Sequence, residues 1–302
     1  MKNTHLNHPE DSICLGKSAV LNVLNWYKKA SGVCSVKYDG APAVVFGYNP
    51  ENGDYFVGTK SVFNKVKVKI NYTHTDIETN HGNNPKVANI LHLLLECAPR
   101  DMEGIIQADY IGYTGKTRYT PNIITYTVGK YSNRAAIILA AHTKYVGDTI
   151  KDLKALPLDS TMSSGGKVHF MNTDAVFSPN RNRKIDVLIK MAKFLSNFVK
   201  YPTGEDAKKM QIDINNCIRT SAPYSDALKG NQLRLFNLML KIKHKIMSDI
   251  IPGDYNVEAV IEAPDGDYEG HEGYVHTNEY GMFKLINRRV FSYWNFNLPK
   301  NW

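Results

Sequence analysis

A short strand-like run, Val33-Cys34-Ser35-Val36, ends on Lys37 and turns through Tyr38-Asp39-Gly40 straight into two further strand-like runs. Those runs, Ala43-Val44-Val45-Phe46 and Tyr55-Phe56-Val57, flank Asn49-Pro50-Glu51-Asn52-Gly53-Asp54, whose turn-forming residues predict a β-hairpin. The chain is thus committed early to antiparallel sheet, with a lysine where the backbone turns sharply. Such a lysine has two readings. One is a solvated β-turn, for which a Lys-x-Asp-Gly string is common. The other is a nucleophile, which attacks phosphorus only as the neutral amine and so needs its pKa lowered by desolvation or nearby cations. Gly40 would let the backbone approach a bound group with no Cβ in the way. What the rest of the chain supplies decides between them.

With 302 residues, 43% hydrophobic and 22% charged, the chain has a globular composition and can bury a large core, as one large domain or one plus a smaller one. No apolar run reaches the roughly 18 residues of a membrane span, and the polar start from Met1 to Asp11 lacks a signal peptide's apolar core. A cytoplasmic protein is expected. Cys14, Cys34, Cys97 and Cys217 lie far apart with no Cys-x-x-Cys pair, which predicts buried free thiols rather than disulfides or a structural zinc site. Lysine and arginine total 37 against 29 acids, and the net charge of +8 favours a polyanionic partner, nucleic acid foremost.

The first 30 residues read as a helix with Val20, Val23, Leu24 and Tyr27 on one face. His8-Pro9-Glu10-Asp11 is its start, with proline in the first turn and acids favoured by the dipole, in preference to a metal cluster. From Asn64 to Ile70 lysines alternate with β-branched residues, so period two puts Lys65, Lys67 and Lys69 on one face. That face is either an edge strand guarded by its charges or a nucleic-acid-binding stripe. Asn84-Pro85 opens a helix burying Val87, Ile90, Leu91 and Leu94. Strands are expected over 104–111, 123–128 and 135–141, helices over 184–201 and 232–250, and strands again over 255–262, 273–276 and 282–286. Pro202-Thr203-Gly204 and Ser221-Ala222-Pro223 read as connections. The ten histidines show no zinc-like spacing, and Asp265-Gly266-Asp267 reads as a turn.

If Lys37 attacks a nucleotide, the site needs carboxylates for a divalent metal, further cations for the phosphates and an aromatic surface for the base. Ile105-Ile106-Gln107-Ala108-Asp109-Tyr110 is an apolar strand ending on a carboxylate. His271-Glu272-Gly273-Tyr274-Val275-His276 sets a second carboxylate before another strand, and Phe283-Lys284-Leu285-Ile286 brings a lysine into an apolar one. With these four motifs, in this order, the chain resembles the covalent nucleotidyltransferase superfamily, the ATP-dependent DNA and RNA ligases and the mRNA capping enzymes. Lys37 to Gly40 match its Lys-x-Asp-Gly nucleophile motif, Ala108-Asp109 its hydrophobic-Gly-Glu strand, Glu272 to Val275 its Glu-Gly element and Lys284-Leu285 its lysine strand. The match spans about residues 33 to 288, apart from the helical stretch.

The resemblance implies an α+β fold: an ATP-grasp-like nucleotidyltransferase core of antiparallel sheets with flanking helices over 1–145 and 252–302, and an inserted, mainly helical lobe over 146–251. It implies ATP and Mg²⁺ or Mn²⁺, with Lys37, Asp39 and Lys284 catalytic. Lys37, Gly40, Lys60, Asp109, Tyr126, Glu272 and Lys284 would bind nucleotide, Tyr126 by stacking on adenine, although an ordinary core aromatic reads equally well there. Glu272 and Asp109 would hold the metal. Three departures stand out. Aspartate replaces the usual glutamate at 109, alanine the usual glycine at 108, and Ile286 stands where a second lysine is usual, with Arg288 or Arg289 the candidate substitutes. Only 18 residues follow Lys284, too few for the OB-fold domain of DNA ligases and capping enzymes. The similarity is therefore to phage-type RNA ligases, the partner a nucleic acid with 5′-phosphate and 3′-hydroxyl ends, RNA before DNA. Tyr38, however, is more like the DNA ligases' motif. The alternatives are a minimal DNA ligase, a nucleotidyltransferase with a different acceptor, and a degenerate core that binds without catalysis.

Overall fold

The structure, a computed structural model, describes residues 6–128, 136–164, 167–179, 183–254 and 256–300. Ala135 and Tyr255, which open two of the expected strands, lie outside the described residues. In chain order the strands are β1 (Val33–Lys37), β2 (Ala43–Tyr48), β3 (Tyr55–Thr59), β4 (Ile105–Tyr113), β5 (Arg118–Tyr119), β6 (Thr125–Thr127), β7 (Ile137–Val146) and β8 (Lys154–Pro157). They continue with β9 (Val168–Phe170), β10 (Asp174–Phe177), β11 (Ile250–Pro252), β12 (Glu258–Ala263), β13 (Gly266–Glu269), β14 (Gly273–Asn278) and β15 (Gly281–Ile286). The helices are α1 (Lys17–Lys28), α2 (His74–His81), α3 (Pro85–Cys97), α4 (Arg183–Leu195), α5 (Gly204–Arg219), α6 (Gly230–Met247) and α7 (Tyr293–Asn297).

The fold is mixed α+β, built on antiparallel sheets. One sheet has the order β11-β10-β1-β14-β15, so the strand bearing Lys37 is central in it. A second runs β3-β2-β4-β7-β8, with β9 added parallel to β7, and a small third runs β13-β12-β6-β5. The expected hairpin forms as β2–β3, with Val44 opposite Thr59 and Tyr48 opposite Tyr55. Its turn is held by Asn49, whose Oδ1 accepts from the Glu51 N–H at 3.0 Å. Asn84 caps α3 as expected, accepting from the Val87 N–H at 3.3 Å with Pro85 in the first turn.

Two main cores flank the sheets, beside a third, smaller cluster that holds Phe56, Phe63 and Tyr145. The larger joins α1, α4, α5 and α6 to the β1 sheet through buried Leu24, Trp26, Ile189, Ile214, Phe236 and Met239. The smaller packs α3, through Ile90, Leu91 and Leu94, on Val44, Phe46 and Ile106 of the second sheet. Of the stretch 146–251, residues 183–247 carry α4, α5 and α6, while β8, β9, β10 and β11 take their places in the two larger sheets. Helix α5 lies between the connections read at Pro202-Thr203-Gly204 and Ser221-Ala222-Pro223, a stretch in which the sequence predicts no element. Its polar composition buries only Ile214, Cys217 and Ile218, too sparse an apolar pattern to stand out.

The alternating lysine segment is a correction. Residues 64–70 form no strand. The backbone bends through 65–67, Lys67 takes a left-handed φ of 57°, and Val66 is 77% exposed, so no common lysine face exists. Lys69 instead donates to the Asn80 carbonyl at 2.5 Å. The acids of the opening turn are a second difference, since Glu10 and Asp11 are buried and not merely favoured by a dipole. Lys243 of α6 meets Glu10 at 2.6 Å and Arg288 meets Asp11 at 2.7 Å. The four cysteines are free, three of them buried. Among the described residues no helix is long and apolar enough to cross a membrane.

Candidate active site

Lys37 is the last residue of β1 and pairs with Gly273 at the start of β14, which sets the neighbouring Glu272 beside it. The glycine is required. At φ +150° a Cβ on residue 273 would collide with the Leu285 carbonyl of β15. Lys37 Nζ donates to Glu272 Oε2 at 2.6 Å, the carboxylate buried and the amine 30% exposed. Val275 faces Lys284 across the β14–β15 hairpin, and both line the cavity that holds the pair. The twelve residues from Glu272 to Lys284 are therefore one hairpin returning a lysine towards a carboxylate.

The opposite wall belongs to the second sheet. Asp109 lies mid-strand in β4, between Ala43 of β2 and Ala140 of β7, rather than at a strand end. Gly40 makes this meeting possible, because a Cβ there would come within 2.7 Å of Asp109 Cβ and 2.8 Å of the Tyr110 carbonyl. His142 of β7 lies 3.6 Å from Asp109 through Nε2. The cavity, about 450 Å³, is bordered by Lys37, Lys60, Asp109, His142, Glu272 and Lys284, with Tyr38, Phe63 and Tyr145 as its aromatic neighbours. A second cavity of about 320 Å³ shares Glu272 and Lys284 with the first and takes in His8, Asn215 and Arg288.

Burial favours the neutral form of Lys37, but the negative charges of Glu272 and Asp109 outweigh it and hold its pKa above the ordinary lysine value. The expected lowering is therefore absent, and this geometry keeps the ammonium charged. Burial pushes the Glu272 carboxyl up to about 7, against the pull of Lys37 and helped by Asp39 and Asp109. Burial also opposes charge on Asp109, yet His142 and then Lys37 and Lys60 overcome it and lower its pKa. Lys284 is lowered, first by burial and then by the repulsion of Lys37.

Not every expected residue faces the cavity. Asp39 is buried and accepts from Asn122 Nδ2 at 2.8 Å and from the backbone N–H groups of Ile123 and Ile124 at 3.0 and 3.2 Å. It clamps the turn after Lys37 onto the loop before β6 and touches no reacting position. Tyr126 is fully buried, and its hydroxyl accepts from the Asp39 N–H at 2.6 Å, so its ring supports that turn and offers no face for a base. Arg288 is committed to Asp11 and Asn215, and Arg289 to the carbonyls of Cys217 and Ala222, so neither replaces a lysine at Ile286 in this cavity. Lys60, opening a short 3-10 turn after β3, does reach the cavity. His142 is absent from the sequence reading, although a His-Thr pair interrupting the apolar run of β7 is a visible signal.

The arrangement places an amine against a proton-accepting carboxylate, with a second lysine, an aspartate and an imidazole around one chamber. Among the described residues no three His, Cys, Asp or Glu side chains form a ready-made metal cluster. Asp109 and Glu272 are nevertheless two carboxylates on one cavity, the donor set with which Mg²⁺ is commonly held in company with substrate phosphates. Fold and site define an α+β protein with a buried lysine–carboxylate centre between two antiparallel sheets. The chain belongs to a family of unknown function (DUF6267), whose model matches residues 3–230 and 226–300. No curated protein and no solved structure matches it.

Proposed function

We propose that the chain is an ATP-dependent covalent nucleotidyltransferase acting as a polynucleotide ligase, with RNA the preferred acceptor. The observation that carries the reading is the 2.6 Å contact of Lys37 with Glu272, inside a chamber also bordered by Asp109, Lys60 and Lys284. Two sheets meeting around a chamber large enough for a nucleotide suit an ATP-grasp-like nucleotidyltransferase core. In the first step Lys37 loses a proton, for which Glu272, in contact and pushed up to about 7, is the acceptor. The neutral amine then attacks the α-phosphorus. A P–N bond forms to AMP, the P–O bond to the β-phosphate breaks, and its electron pair leaves with pyrophosphate.

Lys284 stands where positive charge offsets the charge building on the α-phosphate, and its lowered pKa reports how little solvent shields it. Asp109 and Glu272 would hold a divalent ion, which would supply neutralisation of phosphate charge. Phe63 and Tyr145, rather than Tyr126, are the aromatic side chains placed to border a base. In the second step a 5′-phosphate oxygen takes AMP from Lys37, and in the third a 3′-hydroxyl displaces AMP to form the phosphodiester. Lys60 and the net charge of +8 favour the polyanionic acceptor.

The test is incubation with α-labelled ATP and Mg²⁺ or Mn²⁺, followed by 5′-phosphorylated RNA or DNA. Label retained on the denatured protein, lost in Lys37→Ala and passed to RNA is expected. No label with either metal would remove the enzymatic reading and leave a nucleotide- or nucleic-acid-binding core. Label that forms but never reaches a nucleic acid would retain the transferase and remove the ligase.

A further inference from the structure

Helix α4 is apolar on two faces, and only one of them is covered. Ile185, Ile189 and Ala192 are buried against the large core. On the outside, Val187, Met191, Phe194 and, just past the helix end, Phe198 are 57%, 53%, 67% and 58% exposed. Helices with apolar residues all round are ordinarily buried on all sides. The four exposed residues follow one another at intervals of four, three and four, the spacing of a coiled-coil seam. Together they leave on the order of 400 Å² of apolar surface open, the size of the largest apolar patch on a typical monomer, which is often functional.

The border of the seam names its occupant. Arg183 and Lys190, one heptad apart, both stand exposed along one edge, the positions from which a coiled coil forms ion pairs with its partner helix. The single acid of α4, Asp186, lies about a quarter-turn round the helix from Val187 and is half-buried. A second copy of this chain is a poor match, because antiparallel pairing would set Arg183 and Lys190 against the same two residues. Single-stranded nucleic acid is also a poor match. Phe194 and Phe198 are tilted 59° to each other at 5.1 Å and make no common stacking plane, while Val187 and Met191 offer none.

We propose that the outward face of α4 docks an acidic amphipathic helix of a partner protein, with apolar residues at heptad spacing seated between Phe198 and Val187 and carboxylates meeting Arg183 and Lys190. This surface is independent of the chemistry at Lys37.

The probe is a labelled synthetic helix of about three heptads, leucine in the seam and glutamate at its borders, compared with a copy carrying lysine in place of glutamate. Fluorescence anisotropy with the full chain is expected to show saturable binding of the acidic peptide, weakened at least about tenfold by Phe194→Asp and by high salt. Lys190→Glu should weaken the acidic peptide and strengthen the basic one. Both substitutions are on exposed positions, so unchanged thermal melts show that each variant is folded. Equal binding of both peptides, binding of neither, a homodimer in sedimentation that Phe194→Asp dissolves, or loss of RNA binding in Phe194→Asp without loss of peptide binding would each overturn the proposal.

Discussion

Glu272 carries a pH signature of its own. Its ordinary value is 4.5, and in the fold it is raised to about 7, so the folded chain binds this proton more tightly than the unfolded one. The resulting stability is fully present below about pH 4.5 and is lost as pH rises through about 7, on the order of 3 kcal/mol. Melting wild type and Glu272→Gln between about pH 5 and pH 8 should therefore show the wild type losing ground to the variant as pH rises. Parallel profiles would show that Glu272 titrates as in the unfolded chain. Asp39 contributes through geometry, because its three hydrogen bonds hold the turn. Asp39→Ala should cost about 2–3 kcal/mol in denaturant unfolding, and an unchanged midpoint would contradict its role as a clamp. Strand context and the order of the four motifs, not residue type alone, marked Lys37, Glu272, Asp109 and Lys284 as chemical, and all four border one cavity. Tyr126 misleads for a physical reason: an aromatic on a short strand has the same pattern whether its ring meets a ligand or, as here, a backbone N–H in the core.

At the scale of elements, the sequence makes local structure legible and long-range pairing obscure. The β2–β3 hairpin, α1, α3, α6 and the β14–β15 hairpin follow from periodicity, capping and turn residues within one short window. The partners of β10 and β11 depend on contacts made far along the chain, which no local pattern records, while the bend at Lys67 breaks an alternating pattern and α5 has too sparse an apolar face to show a period. The same holds for the buried network that joins the opening turn, α5, α6 and the π-helical turn Arg288–Ser292. Lys243 meets Glu10, and Arg288 meets Asp11 and Asn215, all from distant parts of the sequence. Removing one member leaves charge buried without its counter-ion. Lys243→Ala is therefore expected to cost about 3–5 kcal/mol, read as a lowered denaturant midpoint, whereas a cost under about 1 kcal/mol would mean water replaces the ammonium.

Across the whole molecule, two sheets of different cores meet at one chamber: the first contributes Lys37, Glu272 and Lys284, the second Asp109 and His142. The order of the motifs was readable without any structure, because each is a charged residue in or beside a short apolar run. Their convergence comes from β1 pairing with β14, from the β14–β15 hairpin and from Gly40 seating the turn against Asp109, and His142 enters through the pairing of β4 with β7. If Lys60 serves the acceptor and not the nucleotide, Lys60→Ala should still form the lysine adduct but pass it to 5′-phosphorylated RNA at least about tenfold more slowly, with a smaller salt dependence. Equal loss in both steps would place Lys60 on the nucleotide instead. A covalent bond between Lys37 and a nucleotide is read out by peptide mapping in a mass spectrometer after exposure to ATP and Mg²⁺. One AMP adduct is expected, carried on the peptide containing Lys37 and absent in Lys37→Ala; an adduct on another residue, or none with Mg²⁺ or Mn²⁺, would rule out Lys37 as the nucleophile.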